Sequence, residues 1–521
     1  GEGGDDEYWI SGGGGGEGEG GDDDVMKQYD SLMKSVERFI DDPGDLDVRV
    51  SDVFTQSMYD RLERRMSQVG WPSVRTFWEG DYRDRRIVTG FLRDDALGRK
   101  RLASMPDRVT NTIDTVGGDG PACRPTVINM YEGDLSTTEI WYDAWEKFMF
   151  DAPLRLRTES GGEEERKVYD MLVPIKKAKY PAITEEEERL SLPLQTLCGA
   201  IFDAILVHAM NEASDPNVWQ PVKRTIVDKL VKNKVPRTLD ILRAMHGDAD
   251  VIALQEVSLS LADRARHGLL GQTHHIVVPS DADAVRDQNS VLLLNKKTFP
   301  GGVNKELTSL VAASFPSEKG QKAPVAKGDV VAVTAEHKSG VPMLLASFHG
   351  DTDGLATIPA LDALLTARTS EPDLAAHRIV FGLDANTYEF PKKGKQQSVL
   401  EFGAAFAVRK MGSCWDIGKG SGSIYGNYTT FNARTYLQPQ LNKACKSSDL
   451  STKKCGDVNP KDFILFDRAE FVPVDTSKDN TGEGRYVEGM AFPTLKFPSD
   501  HGIVSTILKA AGKGGGKKKA R

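Results

Sequence analysis

The pattern of apolar and polar residues changes near residue 190 and divides the chain into two regions. From residue 25 to residue 190, apolar side chains recur mainly at the spacing of helices, as in the stretch 26–40. After residue 190, short apolar runs of strand length alternate with helical segments. That alternation is typical of one large α/β domain rather than of two small ones. The pattern therefore predicts a mainly helical region at 25–190 and an α/β domain at 191–510.

Short apolar runs bounded by polar residues predict the strands of the second region. One of these runs, Val251–Leu254, leads directly into Gln255 and Glu256, so a buried strand delivers a carboxylate at its end. Helices are predicted at Gln220–Met245 and Ile358–Ala367. The strands are predicted at Ala204–Ala209, Val251–Leu254, His275–Val278, Ser290–Leu294, Val330–Ala335, Pro342–Ser347, Ile379–Leu383, Phe463–Phe466 and Ile503–Leu508.

Helices of the first region are predicted from apolar periodicity and from capping residues. Ser51 is the expected N-cap of a helix that runs to Val69, and Thr184 is the expected cap of a helix in the acidic run that follows it. A further helix is predicted from Thr137 to Phe150, with an aromatic stripe that is typical of a core face. The sequence of this region shows no motif for catalysis or ligand binding. Contact with a protein partner is one alternative for its role.

The ends of the chain differ in composition from the rest. Residues 1–24 are mostly Gly, Glu and Asp, and they are expected to be disordered because they can bury little apolar surface. Residues 511–521 form a basic tail that is expected to be flexible. Residues 1–195 hold 26 basic and 41 acidic side chains, and residues 196–521 hold 41 basic and 35 acidic ones. Without its tail the second region has a net charge close to zero. Proteins that bind nucleic acid non-specifically normally carry a concentrated basic face.

Neither a membrane span nor a structural zinc site is indicated. No apolar run approaches the roughly 18–20 residues needed to span a bilayer. The five cysteines include no CxxC pair. Cys445 and Cys455 lie in one polar loop, where a disulfide and two reduced thiols are both compatible with the sequence. The chain starts at Gly1 and shows no secretory signal, which leaves its compartment open.

Several predicted strands of the second region begin or end at polar residues that suit metal and phosphate chemistry. Each of these residues alone is typical of a turn or a cap. Their occurrence in order at successive strand ends instead indicates one site, because ligands bind at strand ends in α/β folds. The residues are Asn211, Glu256, His349, Asp384, Asn386, Asp462, Asp500 and His501.

This order of motifs resembles that of the exonuclease–endonuclease–phosphatase superfamily, the metal-dependent phosphoesterases related to pancreatic deoxyribonuclease. The resemblance spans about Leu192 to Leu508, and its most specific pieces are Leu254-Gln255-Glu256 and Ser499-Asp500-His501. It implies an α/β (α+β) fold, a four-layer αββα sandwich in which two mixed β-sheets pack face to face with helices outside. The helical region would precede this sandwich.

The resemblance also implies a role for each residue of the site. Glu256 would be the principal ligand of Mg²⁺ or Mn²⁺, with Asn211 and Asp500 nearby, and these are the oxygen ligands that such hard cations prefer. Asp384 would orient or deprotonate the attacking water. The phosphate contacts would come from Asn386, His349 and His501, and Asp462 would hold the ring of His501 in one tautomer.

Two further residues are candidate substrate contacts, and one motif departs from the family. Asn289 lies in a stretch that resembles the family's central strand, and Arg434 lies in a basic loop where its planar fork suits phosphate oxygens. A merely solvated basic loop is the alternative for Arg434. The family places glycine directly before the aspartate of its Asp-x-Asn motif, whereas Leu383 stands between Gly382 and Asp384 here. The motif alone therefore does not define the position of Asp384 at the strand end.

The sequence thus predicts a divalent-metal-dependent phosphoesterase that uses an activated water for in-line attack on a phosphodiester or phosphomonoester. Its substrate would be a phosphorylated small molecule, a nucleotide or a nucleic acid, and the neutral balance of the domain favours the smaller ones. One alternative is a catalytically altered binding or scaffold module whose residues 25–190 contact a protein partner. Another is a metal-dependent lyase or hydratase that uses the same site.

Overall fold

The computed structural model of the chain describes residues 19–102, 111–116, 120–158, 162–284, 286–316, 325–417, 426–431 and 457–511. The described residues form two compact units, which divide between Asp228 and Lys229. The boundary expected after residue 190 was therefore placed too early. Arg434, Cys445, Cys455 and the segments 1–18 and 512–521 lie outside the described residues.

The first unit is mainly helical, as the sequence predicts. A helix begins already at Glu19, inside the segment expected to be disordered. The helix expected to start at Ser51 is split in two, because the hydroxyl of Thr55 caps a new helix there. The helices are α1 (Glu19–Asp41), α2 (Val50–Val53), α3 (Gln56–Gln68), α4 (Arg75–Gly80), α5 (Asp95–Lys100), α6 (Thr138–Phe150), α7 (Glu185–Arg189), α8 (Ser191–Ala213) and α9 (Pro216–Val227), and the short strands are β1 (Thr112–Ile113), β2 (Ala122–Cys123), β3 (Pro153–Arg157) and β4 (Glu163–Lys167).

Helix α8 replaces the strand predicted at Ala204–Ala209, and that prediction was wrong. Most residues of α8 are buried in the first unit, on every side of the helix. A short window of such a helix is a continuous apolar run, which periodicity alone cannot distinguish from a buried strand. By length and composition α8 is apolar enough to cross a membrane, but most of it is buried, as in the core helix of a folded domain.

Lys223 on α9 carries its amino group into the interior of the first unit. Its Nζ atom donates hydrogen bonds to the backbone carbonyls of Thr126, at 3.2 Å, and of Tyr131. Burial lowers the pKa of Lys223 to about 7, although nearby Cys123 and Glu132 oppose that shift. A neutral amine retains two N–H bonds, enough for both carbonyls. The folded protein therefore favours the neutral form of this lysine.

We expect the variant Lys223→Met to flatten the pH dependence of stability. The unfolded chain keeps the proton of a lysine up to about pH 10. Between about pH 7 and 10 the unfolded state then binds one proton more than the folded state. The free energy of unfolding of the wild type should therefore rise with pH there, by up to about 1.4 kcal/mol per pH unit.

Urea unfolding across this pH range, followed by tryptophan fluorescence, measures the slope, since Trp141 and Trp145 are buried in the first unit. Lys176→Met is the control, because Lys176 is exposed. The control should keep the slope of the wild type. Equal slopes for both variants would contradict the prediction.

The second unit is built on β-strands, and each strand predicted beyond residue 250 is confirmed. The helix predicted at Gln220–Met245 is interrupted by a π-helical turn at Asp228–Lys232. The strands are β5 (Val251–Val257), β6 (His274–Val277), β7 (Asn289–Asn295), β8 (Lys305–Glu306), β9 (Val330–Glu336), β10 (Pro342–His349), β11 (Arg378–Asp384), β12 (Met411–Ser413), β13 (Asp462–Asp467), β14 (Phe471–Asp479) and β15 (Ile503–Ala510). The helices are α10 (Lys234–His246), α11 (Leu259–His267), α12 (Leu269–Thr273), α13 (Thr308–Ala313), α14 (Thr357–Ser370) and α15 (Val399–Val408).

Two sheets pack face to face between layers of helices, which confirms the expected four-layer sandwich, although the expectation that both sheets are mixed holds only for the larger one. The large mixed sheet has the order β12-β13-β11-β10-β9-β8, and the smaller antiparallel sheet has the order β5-β7-β6. Strands β5 and β7 lie against β9, β10 and β11. Helices α13, α14 and α15 cover the outer face of the large sheet. Helices α10, α11 and α12 cover the smaller one.

The two sheets approach each other closely at Gly382 on β11. A Cβ atom on this glycine would lie 2.4 Å from the Cβ of Ala253 on β5, so only glycine fits there. Leu383, the next residue, is buried on the opposite face, in the core beneath the helices. The leucine that departs from the family motif therefore packs in the core and leaves Asp384 on the face between the sheets.

A cavity of about 740 Å³ runs along β5 and β15 and reaches the ends of β11 and β13. In the described part of the chain, β15 pairs with β14 and not with β5. The cavity is lined by Glu256, Asp384, Asp462, Asp500 and His501, among others. The fold thus leaves an opening where the predicted site residues meet.

Candidate functional site

Three neighbouring strands of the large sheet carry polar side chains at the same register position, at the ends of β10 and β11 and at the start of β13. His349 on β10 is in register with Asp384 on β11, and Asp384 is in register with Asp462 on β13. Residues in register on adjacent strands place their side chains side by side on one face of a sheet. Three motifs that are far apart in sequence therefore form one row at this edge.

Asp384 is the centre of the site. Its Oδ2 atom lies 3.5 Å from Nε2 of His349 and 3.7 Å from Nε2 of His501. Its Oδ1 atom accepts the backbone N–H of Asn386 at 2.9 Å. Burial raises the pKa of Asp384, against the opposing effect of the two histidines. One carboxylate oxygen is thus shared between two imidazole rings and faces the space between them.

Asp462 orients His501. The Nδ1 atom of His501 lies 3.0 and 3.2 Å from the two carboxylate oxygens of Asp462, so its ring directs Nε2 toward Asp384. Burial alone would lower the pKa of His501, but the carboxylates of Asp462 and Asp384 raise that pKa well above its usual value. The arrangement favours a charged imidazolium between two aspartates.

Glu256 reaches the same place from the other sheet. Its Oε1 atom lies 3.7 Å from Nε2 of His349, and its side chain is half exposed. The backbone φ of Glu256 is +54°, and that of Asn386 is +45°. Residues other than glycine rarely adopt such angles, and those that do cluster at functional sites. The Nδ2 atom of Asn386 lies 3.3 Å from Nε2 of His349, which brings Asn386 into the same group.

The oxygen atoms of this site fit a hard divalent cation. Asp384, Asp462 and His501 offer ligand atoms that all lie within 4.8 Å of one another. Both oxygens of Asp462 already face His501, however, and a charged imidazolium cannot ligate a metal. Glu256 could anchor a cation more readily, because among the described residues its carboxylate has no partner from lysine or arginine. Carboxylate oxygens suit Mg²⁺ or Mn²⁺.

The structure corrects two residues that the sequence assigned to the site. Asn211 lies on α8 in the first unit, where its amide donates to the carbonyls of Leu135 and Ser136 and accepts from Trp219. It was assigned as a metal ligand because a strand was expected before it, and that strand is absent from the described residues. Asn289 is also wrong as a substrate contact. Its buried amide is fully used by the backbone around Asp283 and Val257.

Lys461 is a neighbour of the site to which the sequence reasoning assigned no role. Its ammonium group is buried, lies 3.2 Å from Asp457, and lies 5.4 Å from the ring centroid of Tyr388. Burial opposes its charge, but Asp457 and Asp384 raise the pKa of Lys461. It therefore adds a fixed positive charge near Asp384. Its only signal in the sequence is its place directly before Asp462.

A family model described as "Endonuclease/Exonuclease/phosphatase family" matches residues 217–501. The chain belongs to the endonuclease/exonuclease/phosphatase family. The match confirms the resemblance inferred from the motifs and covers the whole second unit up to His501. A second model, described as a domain of unknown function (DUF8234), matches residues 47–224, within the first unit. No curated protein sequence matches the chain.

Several solved structures are similar to about half of the chain. D. rerio TDP2, complexed with a single-strand DNA product, is 14% identical, with 54% of this chain and 96% of that chain covered and a TM-score of 0.34. The human Nocturnin catalytic domain, with a bound sulfate anion, is 14% identical, with coverages of 55% and 91% and a TM-score of 0.34. A mannosyl-6-phosphatase of Bacteroides thetaiotaomicron is 14% identical, with coverages of 53% and 91% and a TM-score of 0.33.

Proposed function

We propose that this chain is a phosphoric ester hydrolase that depends on Mg²⁺ or Mn²⁺. The observation that carries the proposal is the convergence of Glu256, His349, Asp384, Asn386, Asp462 and His501 at one edge of the paired sheets. These residues come from separate stretches of the chain, and packing alone does not require acidic and imidazole groups to meet there. Buried charges cost free energy unless they are paired, so a fold that gathers them usually has a functional reason.

Glu256 would hold the cation, with Asp500 as a second oxygen ligand from the same cavity. A bound divalent cation supplies positive charge to a phosphoryl oxygen and to the leaving group. The half-exposed carboxylate of Glu256 suits this role, because a cation must enter from solvent.

Asp384, with Asn386 and the two histidines, would act on the water and the ester. The Oδ2 atom of Asp384, which lies 3.5 Å from Nε2 of His349 and 3.7 Å from Nε2 of His501, would accept a proton from an attacking water. The amide of Asn386 and the Nε2 atoms of His349 and His501 would donate to phosphoryl oxygens, whose negative charge grows in the transition state.

The proposal predicts release of phosphate or alcohol from a panel of esters only when Mn²⁺ or Mg²⁺ is present. The panel should contain a nitrophenyl phosphodiester, a nucleoside monophosphate, a dinucleotide, a sugar phosphate and an inositol phosphate. Wild type should act on at least one, chelation should stop the reaction, and His501→Ala should lose it. His267→Ala, which removes an exposed histidine, should retain it.

Two results of this assay would contradict the proposal. One is no release from any ester by wild-type protein that binds Mn²⁺, which would favour a lyase or hydratase. The other is equal release by His501→Ala and wild type. The near-neutral balance of residues 196–508, the second region without its basic tail, supports a nucleotide or a small phosphorylated metabolite as the ester hydrolysed fastest.

A further inference from the structure

The metal anchor Glu256 sits in an irregular part of β5. Leu254 pairs with Val291 of β7 and Val257 pairs with Asn289, so Gln255 and Glu256 together face the single residue between these partners. This two-against-one arrangement is a β-bulge, a feature that often redirects a side chain beside an active site. The positive φ of Glu256 lies within the bulge. An unsupported chain would relax from such an angle, so something must hold it.

The side chain of Ser347 holds one end of the bulge. Its Oγ atom donates to the carbonyl of Leu254 at 3.1 Å and accepts from Nε2 of Gln255 at 2.9 Å. Ser347 is completely buried on β10, in the opposite sheet. One hydroxyl therefore binds both the backbone before the bulge and the first side chain within it.

Asn289, which was predicted to contact the substrate, holds the other end of the bulge. The Nδ2 atom of Asn289 donates to the carbonyl of Val257 at 3.2 Å. The two residues of the bulge thus lie between two carbonyls that each accept a side-chain hydrogen bond. Only the Ser347 side joins the two sheets, and His349, which contacts Glu256, lies two residues further along the same strand.

We propose that Ser347 and Gln255 are positioning residues that fix the carboxylate of Glu256 for the metal ion. Ser347 shares its face of β10 with His349, because alternate residues of a strand point to the same side. The hydrogen bonds of Ser347 therefore set the distance between Glu256 and His349. The inference rests on the proposed function, since it takes Glu256 as the metal anchor.

Binding of Mn²⁺ to the metal-free protein, measured by titration calorimetry, tests this inference without any assay of activity. Ser347→Ala and Gln255→Met should each raise the dissociation constant for Mn²⁺ about tenfold, as is usual when a residue that orients a ligand is removed. The double variant should be little worse than Ser347→Ala alone, because the hydroxyl that Ser347→Ala removes is the hydrogen-bond partner of Gln255. In the ester assay, both variants should need more Mn²⁺ for half-maximal rate, while KM for the ester stays unchanged.

Ser413→Ala is the matched control. Ser413 is also completely buried, its hydroxyl accepts a backbone hydrogen bond from Trp415, and it lies on β12 at the edge of the large sheet. This variant should lose thermal stability to a similar degree but bind Mn²⁺ like wild type. Equal dissociation constants for Ser347→Ala, Ser413→Ala and wild type would overturn the positioning role.

The same titrations separate this inference from the proposed function. Wild type that binds Mn²⁺ no better than Glu256→Ala would overturn both. Wild type that binds Mn²⁺ through Glu256 but hydrolyses no ester would overturn only the proposed function. In that case, weaker binding by Ser347→Ala would still support the positioning role.

Discussion

Replacing Glu256 with glutamine is expected to lower kcat/KM for the best ester by about 10³-fold, since a metal ion contributes several kcal/mol to the transition state. The glutamine keeps the size of the side chain and removes only its charge. Stability should be almost unchanged, because the carboxylate is half exposed and accepts no hydrogen bond from the described backbone. The loss should appear with every ester of the panel, because the proposed cation would contact the phosphoryl group common to them all.

Steady-state rates over a range of Mn²⁺ concentrations measure this effect. Glu336→Gln is the matched control, since Glu336 is an exposed glutamate at the end of β9 and outside the site. The control should match wild type at every Mn²⁺ concentration. A Glu256→Gln variant with wild-type rates would show that the anchor of the metal lies elsewhere.

The strands of the second unit were predictable because buried strands have a simple sequence pattern. The strand β7 is buried at every position, and β9 and β10 at nearly every one. Such strands appear as short continuous apolar runs that stop at polar residues. Since the chemistry of this fold lies at strand ends, finding the strands also located His349, Asp384 and Asp462.

The strand predicted before Asn211 was wrong, although it rested on the same apolar pattern that predicted the other strands correctly. A helix buried on all sides leaves the same continuous apolar run as a buried strand. What distinguishes α8 is its length, because its apolar character starts near Ser191, well before the window that was taken as a strand. The error moved both the domain boundary and one metal ligand, since Asn211 was assigned from its place after that strand as the first of the family's motifs.

The position of the Asp-x-Asn motif could not be predicted, because it depends on contacts between the sheets. Gly382 is required by the close approach of Ala253, and Leu383 fills the core on the other face. The departure from the family pattern is therefore explained by packing on the two faces of β11. Asp384 remains in register with both His349 and Asp462, so the departure gives no support to a catalytically altered binding module.

Asp384→Asn is expected to lower kcat by about 10³-fold while leaving the fold as stable as wild type or more stable. A positioned general base contributes about 10²- to 10⁴-fold, and asparagine cannot accept the proton of the attacking water. The asparagine is nearly isosteric, and its Oδ1 atom can still accept the backbone N–H of Asn386. Burying a carboxylate costs free energy, and the amide avoids that cost. KM should change less than kcat, because in the proposed mechanism Asp384 would act on the water rather than on the bound ester.

Single-turnover rates together with thermal unfolding decide this prediction, because they separate a chemical defect from a folding defect. Asp475→Asn, at an exposed position on β14, is the matched control and should behave as wild type in both measurements. A large fall in melting temperature together with the lost rate would mean that Asp384 mainly holds the fold. A retained rate would remove Asp384 from the mechanism. An intact or raised melting temperature with a 10³-fold slower chemical step is the result expected of a buried base that the fold positions at some cost to stability.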